Sequence, residues 1–415
     1  MKKIFLLMPL ALFACSSETA TNSQEPTSEK EKCEVTLVEA TNGSYAVSPE
    51  LPADGKAAKG TTLAITAHPA PGYRLDAVYQ TVLGGMWGQT HREWFVPEQE
   101  ITIDTTSWIG AVFVPESLVD NLEVTRDVVY AQPGVKPLKY DVFAPKGAEN
   151  LPGIIIIHGG GWSSNNEDIM RGLAWELTKG NQYVVFSIDY RWVNELDGDE
   201  RPNSMHNLIE DVFGAIAHIQ EHAANYGCDP SRLALTGDSA GGHLSAAGAL
   251  LCPMIGDGGF GEVEGVYEYK PTYIPEGKSL EQLKTEITQA VQAVAPSYGP
   301  FDAADFKDFI RQKDQSYLDA VSPIRHVPNA KARSIPHYIV RGTADEIVPN
   351  KAVLPYVELL KAQGQVVEYV QVEGAGHAFF DWKPDAQTRQ TFAEIGVPYA
   401  AQMKAFFDRV FYGAE

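Results

Sequence analysis

A chain of 415 residues has room for a large core and one or two further modules, since single domains usually run to about 100–200 residues. Hydrophobic residues make up 44% and charged residues 21%, the balance of a globular protein, which excludes wholesale disorder. The formal net charge of −21 repels polyanions. It excludes nucleic acid as a partner and an acidic lipid surface as an electrostatic dock, and leaves small neutral or uncharged polymeric substrates.

The first segment, 1–14, reads as a targeting signal: Lys2 and Lys3, an apolar run from Ile4 to Phe13, then Ala14. The run is too short to cross a bilayer as a helix. Leu12-Phe13-Ala14-Cys15 resembles the lipobox of bacterial lipoproteins. That resemblance implies a lipidated Cys15 at the mature N-terminus, and Ser16 after it points to the outer membrane of a Gram-negative cell. The plainer alternative is an ordinary secretory signal. Membrane contact is then expected only through the anchor. Residues 15–32 are almost devoid of apolar side chains and read as a disordered tether. Cys33, Cys228 and Cys252 lack metal-site spacing and are taken as structural. An exported chain can pair two of them, but their spacing does not say which. No metal and no cofactor is expected.

Residues 33–115 change texture to short β-like runs at 34–39, 61–67, 100–104 and 108–114, separated by Gly, Pro, Asn and Asp. This is a small all-β module. Gly60-Thr61-Thr62-Leu63-Ala64-Ile65-Thr66-Ala67, Pro71-Gly72-Tyr73 and Ala111-Val112-Phe113 together resemble, loosely, the internalin B-type repeat. Trp87, Trp94 and Trp108 either bind polysaccharide or fill a small core in a spacer; the spacer is preferred.

From residue 120 onward strand and helix signals alternate, as in βαβ units. Runs 122–130 and 136–143 form a hairpin around Pro133-Gly134, and 153–158 holds four consecutive isoleucines, as in a strand buried on both faces. A helix over 168–179, a strand over 183–189, a long helix over 205–226 and a strand over 231–236 follow. After the Ser239 turn and a small-residue helix through 250 come strands at 290–295, 335–341 and 366–372, with helices at 351–362 and 398–411. The expected fold class is α/β: a mostly parallel sheet with helices on both faces, preceded by a small all-β domain. Such sheets bind ligands at the carboxyl ends of their strands.

Gly237-Asp238-Ser239-Ala240-Gly241 fits Gly-x-Ser-x-Gly between a strand and a helix, where the serine sits on a sharp turn that flanking side chains would obstruct. A serine hydroxyl needs a base to attack and donors to hold the oxyanion that forms. His158-Gly159-Gly160-Gly161-Trp162 follows the isoleucine strand and supplies candidate donors at Gly160 and Gly161, with Ala240 N–H as the other. The order serine, acid, histidine selects Asp345, with Glu346 as fallback, and His377 in Glu373-Gly374-Ala375-Gly376-His377. His158 belongs to the glycine loop, His243 to the helix behind the serine, and His206 to a helix start, so none of these is the expected base.

On these motifs, with Asp189-Tyr190-Arg191 and Glu210-Asp211-Val212, residues 120–415 resemble the esterase branch of the α/β-hydrolase fold, in particular bacterial feruloyl and acetylxylan esterases related to hormone-sensitive-lipase-like enzymes. The resemblance implies a serine carboxylesterase working through Ser239, His377 and Asp345. Its expected substrate is an ester linked to polysaccharide, from which it removes acetyl or feruloyl groups; a general short-chain carboxylesterase or lipase and an inactive binding protein are the alternatives. Residues 253–288 depart from the family as an insertion, a lid or a surface decoration. Trp162, Tyr190, Tyr298 and Phe379 are candidate substrate contacts, with Phe380, Trp382 and Trp192 near them; these aromatics line a subsite or belong to the core. The oligomeric state stays open.

Overall fold

The computed structural model of the chain describes residues 31–83, 89–94, 99–198, 200–256, 268–383 and 385–413, with backbone alone at 83 and 89–94. The signal at 1–14, Cys15 and nearly all of the tether lie outside the described residues. So do Trp87, the Trp94 side chain and the 257–267 part of the insertion.

The N-terminal strands are β1 (Lys32–Leu37), β2 (Gly43–Ser48), β3 (Lys56–Ala58), β4 (Thr61–Pro69), β5 (Tyr73–Leu83), β6 (Gln89–Trp94), β7 (Glu100–Ile103) and β8 (Ser107–Pro115). They form one sheet in the order β3-β1-β8-β5-β6 and a second in the order β2-β4-β7. Period-two alternation explains the inward set: Cys33 and Val35 on β1, Leu63 and Ile65 on β4, and Ile101 and Ile103 on β7 share one small core. Strands β2, β3, β5 and β6 have no counterpart among the runs expected from sequence.

After the short helix α1 (Glu116–Val119), the main sheet comprises β9 (Leu122–Ala131), β10 (Leu138–Pro145), β11 (Leu151–Ile157), β12 (Val184–Ile188), β13 (Cys228–Asp238), β14 (Val291–Ser297), β15 (His337–Gly342) and β16 (Val367–Val372). Their order is β16-β15-β14-β13-β11-β12-β10-β9. Strands β11 to β16 run parallel, while β10 pairs antiparallel with both β9 and β12. The chain steps from β11 to β12 on one side and then returns to place β13 on the other. That reversal opens a crevice beyond the carboxyl ends of β11 and β13.

The helices are α2 (Arg171–Thr178), α3 (Met205–His222), α4 (Ala240–Leu251), α5 (Leu280–Ala290), α6 (Gln315–Ala320), α7 (Asn350–Ala362), α8 (Ala386–Thr391) and α9 (Val397–Tyr412). The isoleucine run shows how both sheet faces are covered. Ile155 and Ile157 belong to the buried cluster that includes residues of α3, α4, α5 and α7, whereas Ile154 and Ile156 belong to the one that includes residues of α2 and α9. The expected α/β class with a strand-rich N-terminal region therefore holds. Most of helix α5 falls in the 253–288 insertion, and its start is held by a reciprocal pair: Gln282 N donates to Ser279 Oγ and Ser279 N to Gln282 Oε1. Just before it, Lys270 N and Thr272 N donate to the Glu210 side chain and backbone, so this part of the insertion docks on α3.

Side chains of the N-terminal strands reach a buried cluster of the main sheet. Tyr79, Val112 and Val114 belong to the same buried cluster as Phe143, Ile154 and Leu173. Asp76 on β5 pairs at 3.5 Å with Arg126 of β9 and at 3.5 Å with Arg171 of α2. These cations also meet Asp141 at 2.8 Å and Asp168 at 3.2 Å, respectively. The Asp76 and Arg171 side chains are almost fully buried, so removing the carboxylate leaves two cations short of charge in a poorly solvated place. Asp76→Ala is expected to lower unfolding free energy by roughly 1–3 kcal/mol. A urea midpoint unchanged from wild type would contradict this junction.

Candidate active site

Three strand ends deliver the three candidate catalytic side chains to one place. Ser239 follows β13, Asp345 follows β15 and His377 follows β16. His377 Nε2 stands 2.8 Å from Ser239 Oγ, and His377 Nδ1 stands 2.8 Å from Asp345 Oδ2. The other Asp345 oxygen accepts the backbone N–H groups of Ile347 and Val348, each at 2.9 Å. Arg341 donates to the carbonyls of Asp345 and Val348 and pins the loop from below. A carboxylate so held fixes Nδ1 as the protonated nitrogen and leaves Nε2 to accept from the serine. Glu346, the fallback acid, points to solvent.

The serine turn is strained, and its glycines are required by close backbone approach. Ser239 has φ 51° and ψ −115°, a conformation side-chain-bearing residues rarely adopt. A Cβ on Gly237 or Gly241 would overlap the carbonyl oxygen of Ile157, and one on Gly242 would lie 2.6 Å from Ser297 O. Ser239 N donates to Ser297 O at 2.9 Å, and His243 N to Ser239 O at 3.1 Å. The turn is thereby wedged between β11 and β14.

Gly160 and Gly161 line the cleft beside Ser239, both with positive φ, 115° and 58°. Among the described residues their N–H groups, and that of Ala240 at the first position of α4, donate to no carbonyl or side chain. Unmatched donors beside a nucleophile are what an oxyanion needs. The loop is fixed by Gly159 N donating to Asp238 Oδ1 at 2.6 Å.

The cleft has two lobes that meet at Gly161, Ser239 and Ile347. One, of about 520 Å³, is walled by Trp162, Pro300, Phe306, Phe309 and Val348. The Trp162 ring stacks on Phe306 at 4.4 Å, and its Nε1 donates to His243 Nδ1 at 3.3 Å. The other lobe, of about 270 Å³, is lined by Asn165, Asp238, His377, Asp381 and Lys383. The sequence pointed to Trp162 but not to Phe306 or Phe309, which reach the cleft through a loop without a motif. Asp381 and Lys383 were also missed, although they follow His377 by four and six residues.

Three candidate substrate contacts are corrected. Tyr190 has no exposed surface, stacks on His158 at 4.2 Å and donates its hydroxyl to His158 O. Tyr298 is equally buried, its ring edge-on to His377 at 4.9 Å and its hydroxyl accepting from Phe380 N, so it backs the histidine and does not touch the cleft. Phe379 packs against Tyr298 in the core. Phe380 is also core, Trp382 packs edge-on to Trp175 and Phe392, and Trp192 lies under Lys136. No described part of the 253–288 insertion lines either lobe. Cys33, Cys228 and Cys252 are buried free thiols.

Burial disfavours the charged form of His206, His243 and His337. His243 and His337 are held down at about 4, chiefly because the interior disfavours the imidazolium. His243 accordingly sits as a neutral ring, Nε2–H donating to Val321 O and Nδ1 receiving Trp162. His206, at about 4, is depressed by burial and then by Arg191. With an unfolded value near 6.5, protons bind the unfolded chain more tightly over this interval. The stabilisation is complete above about pH 6.5 and is lost as pH falls through about 4. The thermal midpoint is expected to drop from pH 6.5 to pH 4, and less steeply in His243→Gln. An identical slope in that variant would contradict a buried neutral ring.

With the geometry in place, likeness to known proteins is informative. A protein-family model described as BD-FAE matches residues 140–355, more than half of the chain. The probable carboxylic ester hydrolase LipM of Mycobacterium tuberculosis is 28% identical over 249 residues, covering 55% of this chain and 49% of the relative. Carboxylesterase NlhH from the same species is 35% identical over 143 residues, covering 34% of this chain and 42% of the relative. The chain thus spans about half the length, or less, of these curated relatives. A truncated form of a carbohydrate esterase from gut microbiota superimposes with a TM-score of 0.51 at 24% identity, covering 70% of this chain and 97% of that one, a likeness of fold. By its matched central sheet and the loops that carry Ser239 and Asp345, the chain belongs to the BD-FAE family of α/β-hydrolases.

Proposed function

We propose that this chain is a serine carboxylesterase that releases acyl groups, aromatic ones of the feruloyl kind in particular, from esters of carbohydrate. The observation that carries the reading is the relay of two 2.8 Å contacts from Asp345 through His377 to Ser239. Ser239 Oγ attacks the ester carbonyl while its proton passes to His377 Nε2, and Asp345 stabilises the imidazolium. The oxyanion takes its hydrogen bonds from the N–H groups of Gly160, Gly161 and Ala240. Collapse of the tetrahedral intermediate expels the alcohol, which takes the proton from His377 and leaves an acyl-serine. Water then gives its proton to His377 and attacks the acyl carbonyl; as the second intermediate collapses, the Oγ–acyl bond breaks, His377 returns the proton to Ser239 Oγ, and the acid departs.

The larger lobe supports an aromatic acyl group over acetyl. Its walls include Trp162, Phe306 and Phe309, with Asp305 and Lys351 also on the lining; the three rings are flat apolar surfaces that favour a ring through stacked or edge-on contact, whereas an acetyl group would leave most of about 520 Å³ unfilled. The reading includes export and a lipid anchor at Cys15, supported by the run Leu12-Phe13-Ala14-Cys15.

Hydrolysis of methyl ferulate and methyl acetate by wild type, Ser239→Ala and Asp345→Asn tests the proposal. Wild type is expected to prefer ferulate in kcat/KM. Asp345→Asn should lower kcat on the order of 10⁴-fold by presenting the wrong tautomer, and Ser239→Ala at least as far. Equal rates for wild type and Ser239→Ala would sink the esterase reading, and a preference for acetate would sink the aromatic acyl assignment.

A further inference from the structure

The smaller lobe of the cleft differs in chemistry from the larger one. Beside Ser239, His377 and the glycine loop, it presents Asn165, Asp238, Asp381 and Lys383. Lys383 Nζ pairs with Asp381 Oδ2 at 2.9 Å; the Asp381 side chain is 8% exposed and that of Lys383 is 28% exposed. Asp238 lies within hydrogen-bonding reach of Asp381 and holds Gly159 N with its Oδ1. Burial, and then the Asp381 charge, push the Asp238 carboxyl well above the usual carboxylate range. Asp238 thus stands against Asp381, whose other side faces Lys383 Nζ. The lobe is lined by hydrogen-bonding side chains held in place by one another.

Proton transfer decides which half of the ester occupies this lobe. The imidazolium must return its proton to the departing oxygen, so the alcohol has to sit on the side that His377 faces. His377 and Ala378 line the smaller lobe and not the larger. The acyl group is thereby assigned to the aromatic lobe and the alcohol to the polar one. A simple aliphatic alcohol in that place would desolvate Lys383 and Asp381 without replacing their water. Vicinal hydroxyls, each both donor and acceptor, match the array.

We propose that Lys383 and Asp381 form the leaving-group subsite, selecting a sugar ring by hydrogen bonds to the hydroxyls that neighbour the esterified oxygen. This rests on the serine esterase reading and extends it to the alcohol half of the substrate. Lys383 acts on binding of the sugar and takes no part in the covalent steps.

The test compares two esters with one acyl group, methyl ferulate and a monoferuloyl ester of methyl xylopyranoside, in wild type, Lys383→Met and Lys383→Arg. Loss of a charge-assisted hydrogen bond is expected to lower the sugar-to-methyl ratio of kcat/KM by roughly ten- to a hundred-fold in Lys383→Met. The change should fall mainly in KM for the sugar ester, and Lys383→Arg should restore most of the ratio. A ratio within about two-fold of wild type, a smaller change than one hydrogen bond produces, would overturn the subsite. So would both esters falling in step, which marks a structural role. An independent readout needs only wild type: methyl xylopyranoside added during methyl ferulate turnover should capture the acyl-enzyme better than equimolar ethanol, and equal capture would overturn the proposal. If wild type cleaves neither ester above Ser239→Ala, the esterase reading itself fails and takes the subsite with it.

Discussion

The backbone of Ser239 is the constraint on which the rest of the site depends. At φ 51° and ψ −115° it lies where a side-chain-bearing residue is strained, at a cost on the order of 1–3 kcal/mol that surrounding structure has to offset. The offset is visible in what surrounds the turn. Strand β13 is paired on both sides, by β11 and β14, and α4 follows at once with every residue buried. Gly237, Gly241 and Gly242 let these elements close to backbone contact. Once the turn is locked, Oγ projects beyond the sheet edge, where loops after β15 and β16 bring the carboxylate and the imidazole.

The same edge is braced from further away. Asp238, next to Ser239 in sequence, ties the glycine loop through Gly159 and meets Asp381 on the histidine loop. Trp382 N donates to Ile169 O, which joins that loop to the turn preceding α2. Arg171 at the start of α2 pairs with Asp76 of the N-terminal strands. A continuous line of contacts thus runs from the strand-rich region to the cleft. Tyr79, Val112 and Val114 of the N-terminal strands share a buried cluster with Ile154 of the main sheet.

Legibility in the sequence followed the locality of the signal. The isoleucine run, the glycine-flanked serine, the glycine loop and the order of acid and histidine are each set by a few adjacent residues, and Ser239, Asp345, His377, Gly160, Gly161 and Trp162 meet in one cleft. Tyr190, Tyr298 and Phe379 misled because nearness in sequence to a site residue does not say which side of the backbone a ring takes. All three turned inward. Strand β5 escaped notice because Ala77 to Val82 are buried on both faces, which erases the alternation that marks a half-exposed strand. Helix α5 was missed although Ser279 and Gln282 carry a capping-box spacing. Phe306 and Phe309 had no local signature, since only the path of the chain after β14 brings them beneath Trp162.

The central claim is that His377 makes Ser239 nucleophilic in a site prepared for a tetrahedral oxyanion. The most direct measurement is covalent labelling with a fluorophosphonate, read by intact mass and by peptide mapping, on wild type and on His377→Ala. A single adduct on Ser239 in wild type, with labelling of His377→Ala slowed at least a thousand-fold, on the order of the loss expected when a triad member is removed, is the predicted result. Labelling elsewhere, or equal rates in the two proteins, would contradict the account.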